Sequence, residues 1–277
     1  MTMLKSGKTI SLLMVFLFYC SIAGSHNLSI SNVSIVSTNL SEQTSSVAFD
    51  ISWENSWRDA INYDAVWVFI KYRASGTNDP WEHATLDPAG HLIPPGAEAT
   101  VPADGMGAFI YRNANGNGTL SLVNVVLLWN YGADGVLNGA NLDIRVLGVE
   151  MVYVAQGGFW IGDGETTNVY GNFEAETSGL PFQVTGENAI TLGGGIPGSL
   201  GNNNREGMWG PDGGHLNGAA DDFDDVTSQI LPEAFPKGYN AFYCMKYEVT
   251  QEQWITFLNM VNPAAAALHA NDYNFYG

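Results

Sequence analysis

The chain has 277 residues, of which 45% are hydrophobic and 12% aromatic, which supports a packed core and argues against an intrinsically disordered chain. Its formal net charge of −18 argues against a nucleic-acid partner, whose phosphates would be repelled. Charged residues make up only 14% of the chain and glycine is abundant, with 32 copies, which is typical of loop-rich and strand-rich extracellular proteins.

Residues 1–25 have the pattern of a secretory signal peptide. Two lysines precede an apolar run, residues 10–23, and small residues follow it up to Ser25. We expect cleavage after Ser25, so that the mature protein is secreted, periplasmic or held at the cell surface. The alternative is an uncleaved membrane anchor, but the run is shorter than the roughly 20 residues that a membrane span needs.

Residues 26–149 are predicted to form an antiparallel β-sandwich. Apolar, β-branched and aromatic residues alternate or run together in six stretches, and pieces rich in Gly, Pro and Asn separate them. The stretches are LSISNVSIV, SSVAFDISW, YDAVWVFIKYRA, GAFIYR, TLSLVNVVLLWNY and NLDIRVLGVEMVYV. The sequence NANGNG at residues 113–118 is predicted to be the turn of a hairpin.

The character of the sequence changes at Glu150. MVYVAQGGFWIGDG, which starts at Met151, predicts a strand, a Gly-Gly turn and a second strand paired as a hairpin. Residues 165–218 are rich in glycine, asparagine and acidic residues, and we interpret them as an insertion with short strands in PFQVTG and NAITLGG. Regular structure is predicted to return at FYCMKYEVT, which starts at Phe242.

A capped helix is predicted directly after that strand. Thr250 can accept a hydrogen bond from the amide three residues on, and Gln253 stands where it completes a capping box. One apolar face is formed at helical spacing by Trp254, Phe257, Leu258 and Val261. Pro263 is predicted to end the helix.

Two of these segments resemble the opening of the formylglycine-generating enzyme (sulfatase-modifying factor) domain. That family begins with a Met-Val-x-Val-x-Gly-Gly-x-Phe-x-Met-Gly hairpin and continues with a Phe-Tyr-x-x-x-Tyr-Glu-Val-Thr strand that enters a helix. The matching residues are Met151, Val152, Val154, Gly157, Gly158, Phe159 and Gly162, then Phe242, Tyr243, Tyr247, Glu248, Val249, Thr250, Trp254, Phe257 and Leu258. The resemblance covers Glu150 to about Asn262, and the predicted sandwich is similar to one that precedes this domain in some secreted bacterial members.

The resemblance implies that residues 150–277 are the N-terminal half of an irregular α+β domain with a C-type-lectin-like fold. The type enzymes of that family oxidise a sulfatase cysteine to formylglycine with oxygen and copper, relatives use non-haem iron to join sulfur to carbon, and others have no known catalysis. Their metal ligands lie in the later half of the domain, whose Gly-Asn-Val-Trp-Glu-Trp and Arg-Gly-Gly-Ser-Trp segments do not occur in this sequence. We therefore expect an inactive fragment of a longer parent, with no catalytic, cofactor-binding or metal-binding residue of its own.

Two functions from different classes are open for that parent. The first is a metal-dependent and oxygen-dependent oxidoreductase that acts on a protein cysteine or another thiol, with copper or iron as the metal. The second is a non-catalytic exported binding protein that recognises glycans or protein partners. A downstream cysteine pair would favour the first, and surface aromatic residues without such a pair would favour the second.

The cysteines and acidic residues supply few candidate sites. If Cys20 leaves with the signal peptide, Cys244 is the only cysteine of the mature chain, which excludes an intrachain disulfide and a two-thiolate copper site. Cys244 is therefore predicted to be a buried structural residue. The run DDFDD at Asp221–Asp225, with Asp212 nearby, has oxygen ligands that suit calcium, but its spacing fits no EF-hand and a solvated acidic loop is favoured.

Histidines and tryptophans complete the set of candidates. The histidines are scattered without the spacing of a zinc or iron site; they are His26, His83, His91, His215 and His269. Trp67 and Trp129 lie in apolar strands and are predicted to be core residues. Trp57 and Trp81 have polar neighbours, which makes them the candidate platforms for stacking on a sugar ring.

Overall fold

The computed structural model describes residues 27–162, 173–202 and 228–271. This part of the chain is mainly β, as predicted, with two short helices near its end. The strands are β1 (Ser29–Asn39), β2 (Thr44–Arg58), β3 (Tyr63–Ala74), β4 (Glu82–His83), β5 (Ala97–Thr100), β6 (Ala108–Arg112), β7 (Gly116–Trp129), β8 (Leu142–Val154), β9 (Phe159–Ile161), β10 (Phe173–Ala175), β11 (Phe182–Val184), β12 (Ile190–Gly193), β13 (Leu200–Asn202), β14 (Ser228–Leu231) and β15 (Phe242–Met245). The helices are α1 (Gln251–Leu258) and α2 (Pro263–Asn271).

A large antiparallel sheet of nine strands curls so that its two halves face each other as the layers of a sandwich. One layer has the order β1–β2–β7 and the other the order β15–β8–β3–β6–β5, with β4 also paired to β3. The layers are joined where β2 leads into β3 and Arg58 pairs with Tyr63. Each of the six predicted stretches forms one long strand or its greater part, so the strand predictions for this region are confirmed.

The core lies between the two layers. Because successive side chains of a strand alternate between its faces, every second residue of β2, β3 and β7 points into it. Phe49, Trp53 and Val66 are among its fully buried members. Trp129 is buried as predicted, whereas Trp67 is half-buried on the outer face of β3, so its prediction as a core residue is wrong.

The two predicted hairpins do not form, and the reason is the same for both. β6 pairs with β3 and β5, and β7 pairs with β2, so the turn at residues 113–115 crosses between layers. β8 pairs with β3 and β15, and β9 pairs instead with β11. In each case partners from elsewhere in the chain already occupy both edges of the first strand.

The region after β8 consists of short strands. β10, β13, β12 and β14 form a small four-stranded sheet in that order, and the strands predicted in PFQVTG and NAITLGG form as β11 and β12. β8 passes through the predicted boundary at residue 150 without a break, and β15 extends the sheet of the sandwich. The predicted signal peptide and the DDFDD run lie outside the described residues.

Helix α1 begins with the predicted capping box. Thr250 accepts a hydrogen bond from the backbone N–H of Gln253 at 3.1 Å, and the Gln253 side chain accepts one from the backbone N–H of Thr250 at 2.9 Å. The helix ends at Leu258, earlier than predicted, and Pro263 opens α2 instead of ending α1. Proline fits the first turn because its missing N–H would have no partner within the helix. The side chain of Asn262 caps this second helix.

Candidate functional site: the junction of the late strand with the sandwich

The two segments that carry the family resemblance lie side by side in the structure. The end of β8 and β15 are antiparallel neighbours, with Met151 opposite Met245 and Tyr153 opposite Tyr243. β3 lies on the other side of β8, so that the order across the sheet is β3, β8, β15. Side chains on the two faces of this junction form two distinct clusters.

On the outer face, Tyr243 fastens β15 to the sandwich. Its ring stacks on that of Phe109 with the centroids 3.8 Å apart, although β8 and β3 separate their two strands. Ala65 of β3, a small residue with the same outward orientation, is fully buried beneath this face. The Tyr243 ring also lies 6.3 Å from Tyr63 and 5.3 Å from Tyr153. We call the set of rings the aromatic cluster: Tyr63, Phe109, Tyr111, Tyr153 and Tyr243.

Three hydroxyl groups of this cluster have hydrogen-bond partners. The Tyr63 and Tyr243 hydroxyls lie 3.1 Å apart, and the Tyr111 hydroxyl lies 2.8 Å from Thr100 Oγ1. The Arg58 guanidinium lies 4.7 Å from the Tyr63 ring centroid, a cation–π distance. Burial, followed by the hydrogen bond to Tyr63, raises the pKa of Tyr243, and burial raises the pKa of Tyr63. The cluster therefore holds the strand by packing.

On the inner face, three ionisable side chains from three neighbouring strands meet. Asp64 of β3 is fully buried, Glu150 of β8 is 3% exposed, and the side chain of Lys246, just after β15, is 11% exposed. Lys246 Nζ lies 2.8 Å from Asp64 Oδ2 and 3.3 Å from Glu150 Oε2. It also donates to the carbonyl oxygen of Asn55 at 2.9 Å. We call Asp64, Glu150 and Lys246 the lysine–carboxylate cluster.

Asp64 receives hydrogen bonds on both of its oxygen atoms. Oδ1 accepts from Ser56 Oγ at 3.1 Å and from the backbone N–H of Trp57 at 2.8 Å. Oδ2 accepts from Trp53 Nε1 at 3.1 Å in addition to Lys246. Burial alone would lower the pKa of Lys246, but the hydrogen bond and charge of Asp64 outweigh it and raise that pKa. A buried carboxylate needs such a set of donors to offset its lost hydration.

Cys244 and the candidate sugar platforms differ from the predictions. Cys244 is exposed, not buried, because β15 lies at the edge of the sheet. Trp81 is only 8% exposed, and the guanidinium carbons of Arg73 and Arg145 each lie 4.6 Å from its ring centroid. Trp57 is half-buried. The ring of Trp81 is thus packed against arginines, which leaves little room for a sugar.

The histidines that the structure describes have separate surroundings. His83 stacks on Phe69 at 5.7 Å, and His269 lies edge-on to the rings of Trp254 and Phe257. Burial lowers the pKa of His83 and of His91. The remaining candidates are outside the described residues; they are His26, His215, Asp212 and Asp221–Asp225. Within residues 27–162, 173–202 and 228–271, no three His, Cys, Asp or Glu side chains are grouped to hold a metal ion.

Exposed apolar side chains occur on β15, in the segment that follows it and on α1. We call this set the docking strip; it consists of Phe242, Met245, Val249, Ile255 and Phe257. Among the described residues, no strand pairs with the second edge of β15. The exposed carboxylates of Glu248 and Glu252 lie within the same stretch of sequence. Over the described part of the chain, no helix has the length and apolar character to cross a membrane.

Sequence reasoning missed the lysine–carboxylate cluster, although a signal for it exists. Asp64 is the single acidic residue of the largely apolar run YDAVWVFIKY, and Glu150 is the single charged residue of VLGVEMVYV. An acidic residue in a strand otherwise buried on both faces needs a cationic or hydrogen-bonded partner. That partner, Lys246, comes from a strand that is remote in sequence and could not be identified from the pattern alone.

Comparison with known proteins found no matching family model, curated protein or solved structure. The resemblance to the formylglycine-generating enzyme family therefore rests on the two paired segments of the junction. The function has to be argued from the junction itself and from the docking strip beside it.

Proposed function

We propose that this is an exported, non-catalytic binding protein whose partner is another protein, docked on strand β15 and helix α1. The observation that carries this proposal is an edge of β15 with which no strand of the described residues pairs, together with the exposed apolar side chains of the docking strip on and after β15. An open edge can accept a strand from another chain through backbone hydrogen bonds. Exposed apolar side chains beside that edge add buried area and mark an interaction site.

The charge around the strip indicates the chemistry of the partner. Glu248 and Glu252 are exposed within the segment that carries the docking strip, and the chain as a whole has a formal net charge of −18. A partner segment that alternates apolar residues with Lys or Arg would pair its cations with these carboxylates, which favours association and orientation. We therefore propose an extended, basic and partly apolar protein segment as the ligand.

The two clusters of the junction support this role because they hold β15 from both faces. Tyr243 lies in the aromatic cluster on one face, and Lys246 lies in the lysine–carboxylate cluster on the other. A strand fixed in this way is ordered before the partner arrives, which lowers the entropic cost of binding. A glycan is the less favoured ligand, since Trp81 packs against Arg73 and Arg145.

The second candidate is the metal-dependent and oxygen-dependent thiol oxidoreductase that the family resemblance implies for a longer parent. It is supported by the pairing of the two resembling segments as neighbouring strands, as expected for pieces of one domain. The residues of this chain do not fit the family's copper site, because Cu(I) in that site needs two thiolates and Cys244 is a single exposed thiol. We expect the chain, supplied with copper, oxygen and a thiol peptide, to show no oxidation of the peptide. Turnover that is lost on chelation would contradict this.

Selection of peptides from a display library of extended segments tests the binding proposal. We expect the selected peptides to alternate apolar residues with Lys or Arg, and we expect them to bind at least about tenfold more weakly to the double variant Ile255→Glu and Phe257→Glu. The matched control is Leu137→Glu, which alters an exposed leucine of the sandwich outside the strip. Equal affinity of the double variant, or no enrichment over an empty support, would overturn the proposal.

A further inference from the structure

We propose that Lys246 and Asp64 become joined by an intramolecular isopeptide bond, with Glu150 as the proton carrier and one water molecule released. This inference goes beyond the proposed function, because the bond would form whether or not a partner docks on β15. It rests on the arrangement of an amine and two carboxyl groups in a site where Asp64 is fully buried, Glu150 is 3% exposed and the Lys246 side chain is 11% exposed. Asp64 and Glu150 belong to neighbouring strands, and Lys246 directly follows β15, with its backbone N–H bonded to the Glu150 carbonyl oxygen at 2.9 Å.

The two reacting groups are already in contact. Lys246 Nζ lies 2.8 Å from Asp64 Oδ2, and Asp64 is fully buried. Fixing an amine against a carboxyl group in this way replaces a collision in solution by an intramolecular step, with effective concentrations on the order of 10⁵–10⁸ M in well-oriented cases. Burial also keeps bulk water away from the product amide, so hydrolysis does not compete.

The hydrogen bonds of Asp64 distinguish its two oxygen atoms: Oδ1 is placed to carry negative charge, and Oδ2 is placed to leave. Oδ1 accepts from Ser56 Oγ at 3.1 Å and from the backbone N–H of Trp57 at 2.8 Å, so negative charge that develops on this atom is stabilised as in an oxyanion hole. Arg112 Nε donates to Ser56 Oγ at 3.0 Å, which leaves the Ser56 hydroxyl proton for Asp64. Oδ2, which faces Lys246 and Trp53 Nε1, is the oxygen that leaves.

The reaction is a condensation and needs no oxidant or reductant. The ion pair first passes one proton from the Lys246 ammonium to Asp64, which gives a neutral amine and a neutral carboxylic acid. The nitrogen lone pair then attacks Asp64 Cγ and forms the C–N bond of a tetrahedral intermediate. Glu150, whose Oε2 lies 3.3 Å from Nζ, takes a proton from this nitrogen and returns it to the departing Oδ2 hydroxyl, which leaves as water. The products are a secondary amide and one water molecule.

Burial favours the amide over the ion pair as the final state. Two opposite charges in a closed site retain a desolvation cost even when they are well paired, whereas a neutral amide does not carry that cost. The hydrogen bond and charge of Asp64 raise the pKa of Lys246, so proton loss from the Lys246 ammonium adds to the barrier of the reaction. The bond would close a loop between positions that are 182 residues apart.

Mass spectrometry of a tryptic digest of the purified, folded chain tests the proposal. Trypsin does not cleave after an acylated lysine, so we expect residues 59–71 to be found joined to residues 238–277, at a combined mass lower by one water molecule. The linear peptide 238–246 should be absent. Quantitative recovery of the linear peptides 59–71 and 238–246 from the folded protein would overturn the proposal and leave the cluster as an ordinary buried ion pair.

Variants then separate the role of Glu150 from the requirement for folding. Glu150→Gln keeps the hydrogen-bonding shape but removes the proton carrier, and we expect the linear peptides from it, with a wild-type circular dichroism spectrum. The matched control is Glu248→Gln, an exposed carboxylate of the same region, which should give the linked peptide. Full linkage in Glu150→Gln would overturn the assignment of Glu150. If that variant does not fold, the wild-type digest still decides whether the bond exists.

Discussion

The sandwich and the region that follows it differ in how they bury their side chains. The long strands β1, β2, β3, β7 and β8 have 11 to 15 residues each, whereas β9 to β14 have three or four. In the described residues after β8, the buried hydrophobic side chains are Val184, Leu200 and Met260. The sandwich therefore has a hydrophobic core of its own. The later region buries few apolar side chains, so much of its order must come from its contacts with the sandwich.

The attachment points are few and well defined. Tyr243 packs in the aromatic cluster, and Lys246 binds in the lysine–carboxylate cluster. The backbone N–H of Trp81 donates to the backbone carbonyl oxygen of Met260 at 3.0 Å. Strand β15 thus belongs to the later region by sequence and to the sandwich by hydrogen bonding and packing. Changes in the sandwich core should therefore affect the whole molecule, whereas changes in the later region should affect only local order.

The largest effect is expected from Phe49→Ala in the core of the sandwich. Phe49 is almost fully buried between the layers, so its truncation should cost about 3–5 kcal/mol of unfolding free energy. The control is Leu180→Ala in the later region, an exposed side chain whose loss should change the unfolding free energy by less than about 0.5 kcal/mol. Urea unfolding followed by tryptophan fluorescence measures both. Equal losses of unfolding free energy in the two variants would contradict the inferred difference between the core of the sandwich and the later region.

A loss of similar or slightly smaller size is expected from Lys246→Met at the junction. The change leaves the buried Asp64 and Glu150 without the cation between them, and breaking such a buried pair costs about 3–5 kcal/mol. Lys237→Met is the control, because Lys237 Nζ donates only to backbone carbonyl oxygens and its loss should cost about 1 kcal/mol. The urea unfolding midpoints of the two variants and the wild type at neutral pH measure these losses. A Lys246→Met midpoint no lower than that of Lys237→Met would mean that the cluster contributes no stability.

Alkaline pH is expected to weaken the same attachment on both faces of β15. In protein whose Lys246 amine is free, the folded-state pKa of Lys246 is raised above 10.5, so its stabilising proton is fully bound below that value and is lost as the pH rises through the folded pKa; in protein with the Lys246–Asp64 amide, only the tyrosines titrate. The pKa values of Tyr63 and Tyr243 are raised above 10.0, so their contribution also disappears as the pH rises above 10. Urea midpoints should fall steadily above pH 10. In the double variant Lys246→Met and Tyr243→Phe, the urea midpoint should fall less steeply with pH. An identical slope in the variant and the wild type would contradict the assignment of the pH dependence to these two side chains.

The sequence was sufficient for the long strands and for the start of α1, and it was insufficient for the pairing partners of the strands and for α2. β-branched and aromatic alternation located the long strands, and the Thr250 capping box located α1, because both signals are local. Pairing depends on residues far apart in the chain, so the crossing after β6 and the union of β8 with β15 could not be derived from turn residues alone. Cys244 was misplaced for this reason, since its exposure depends on β15 being the edge strand.

For the candidate site, too, the sequence located the strands but not the side-chain contacts between them. The segments around Met151 and Phe242 were singled out by their family resemblance, and the structure places them next to each other. The chemistry between them was not foreseen, because Asp64 and Glu150 look like isolated charges until Lys246 is brought to them by strand pairing. An acidic residue in an apolar strand indicates that its carboxylate needs a hydrogen-bonding or cationic partner, but only the fold shows which residue that partner is.

The smallest effect is expected from Thr250→Ala at the start of α1. Loss of the side-chain acceptor for the Gln253 N–H removes the capping box and should cost about 1 kcal/mol of local helix stability. Because α1 buries none of its own residues, the loss should appear as faster amide hydrogen exchange within α1, while the amides of β2 keep their protection. Thr119→Ala, an exposed threonine of β7, is the control and should leave α1 unchanged. If the β2 amides exchange faster in step with those of α1, the two regions open as one cooperative unit, and β15 couples them more tightly than their separate cores indicate.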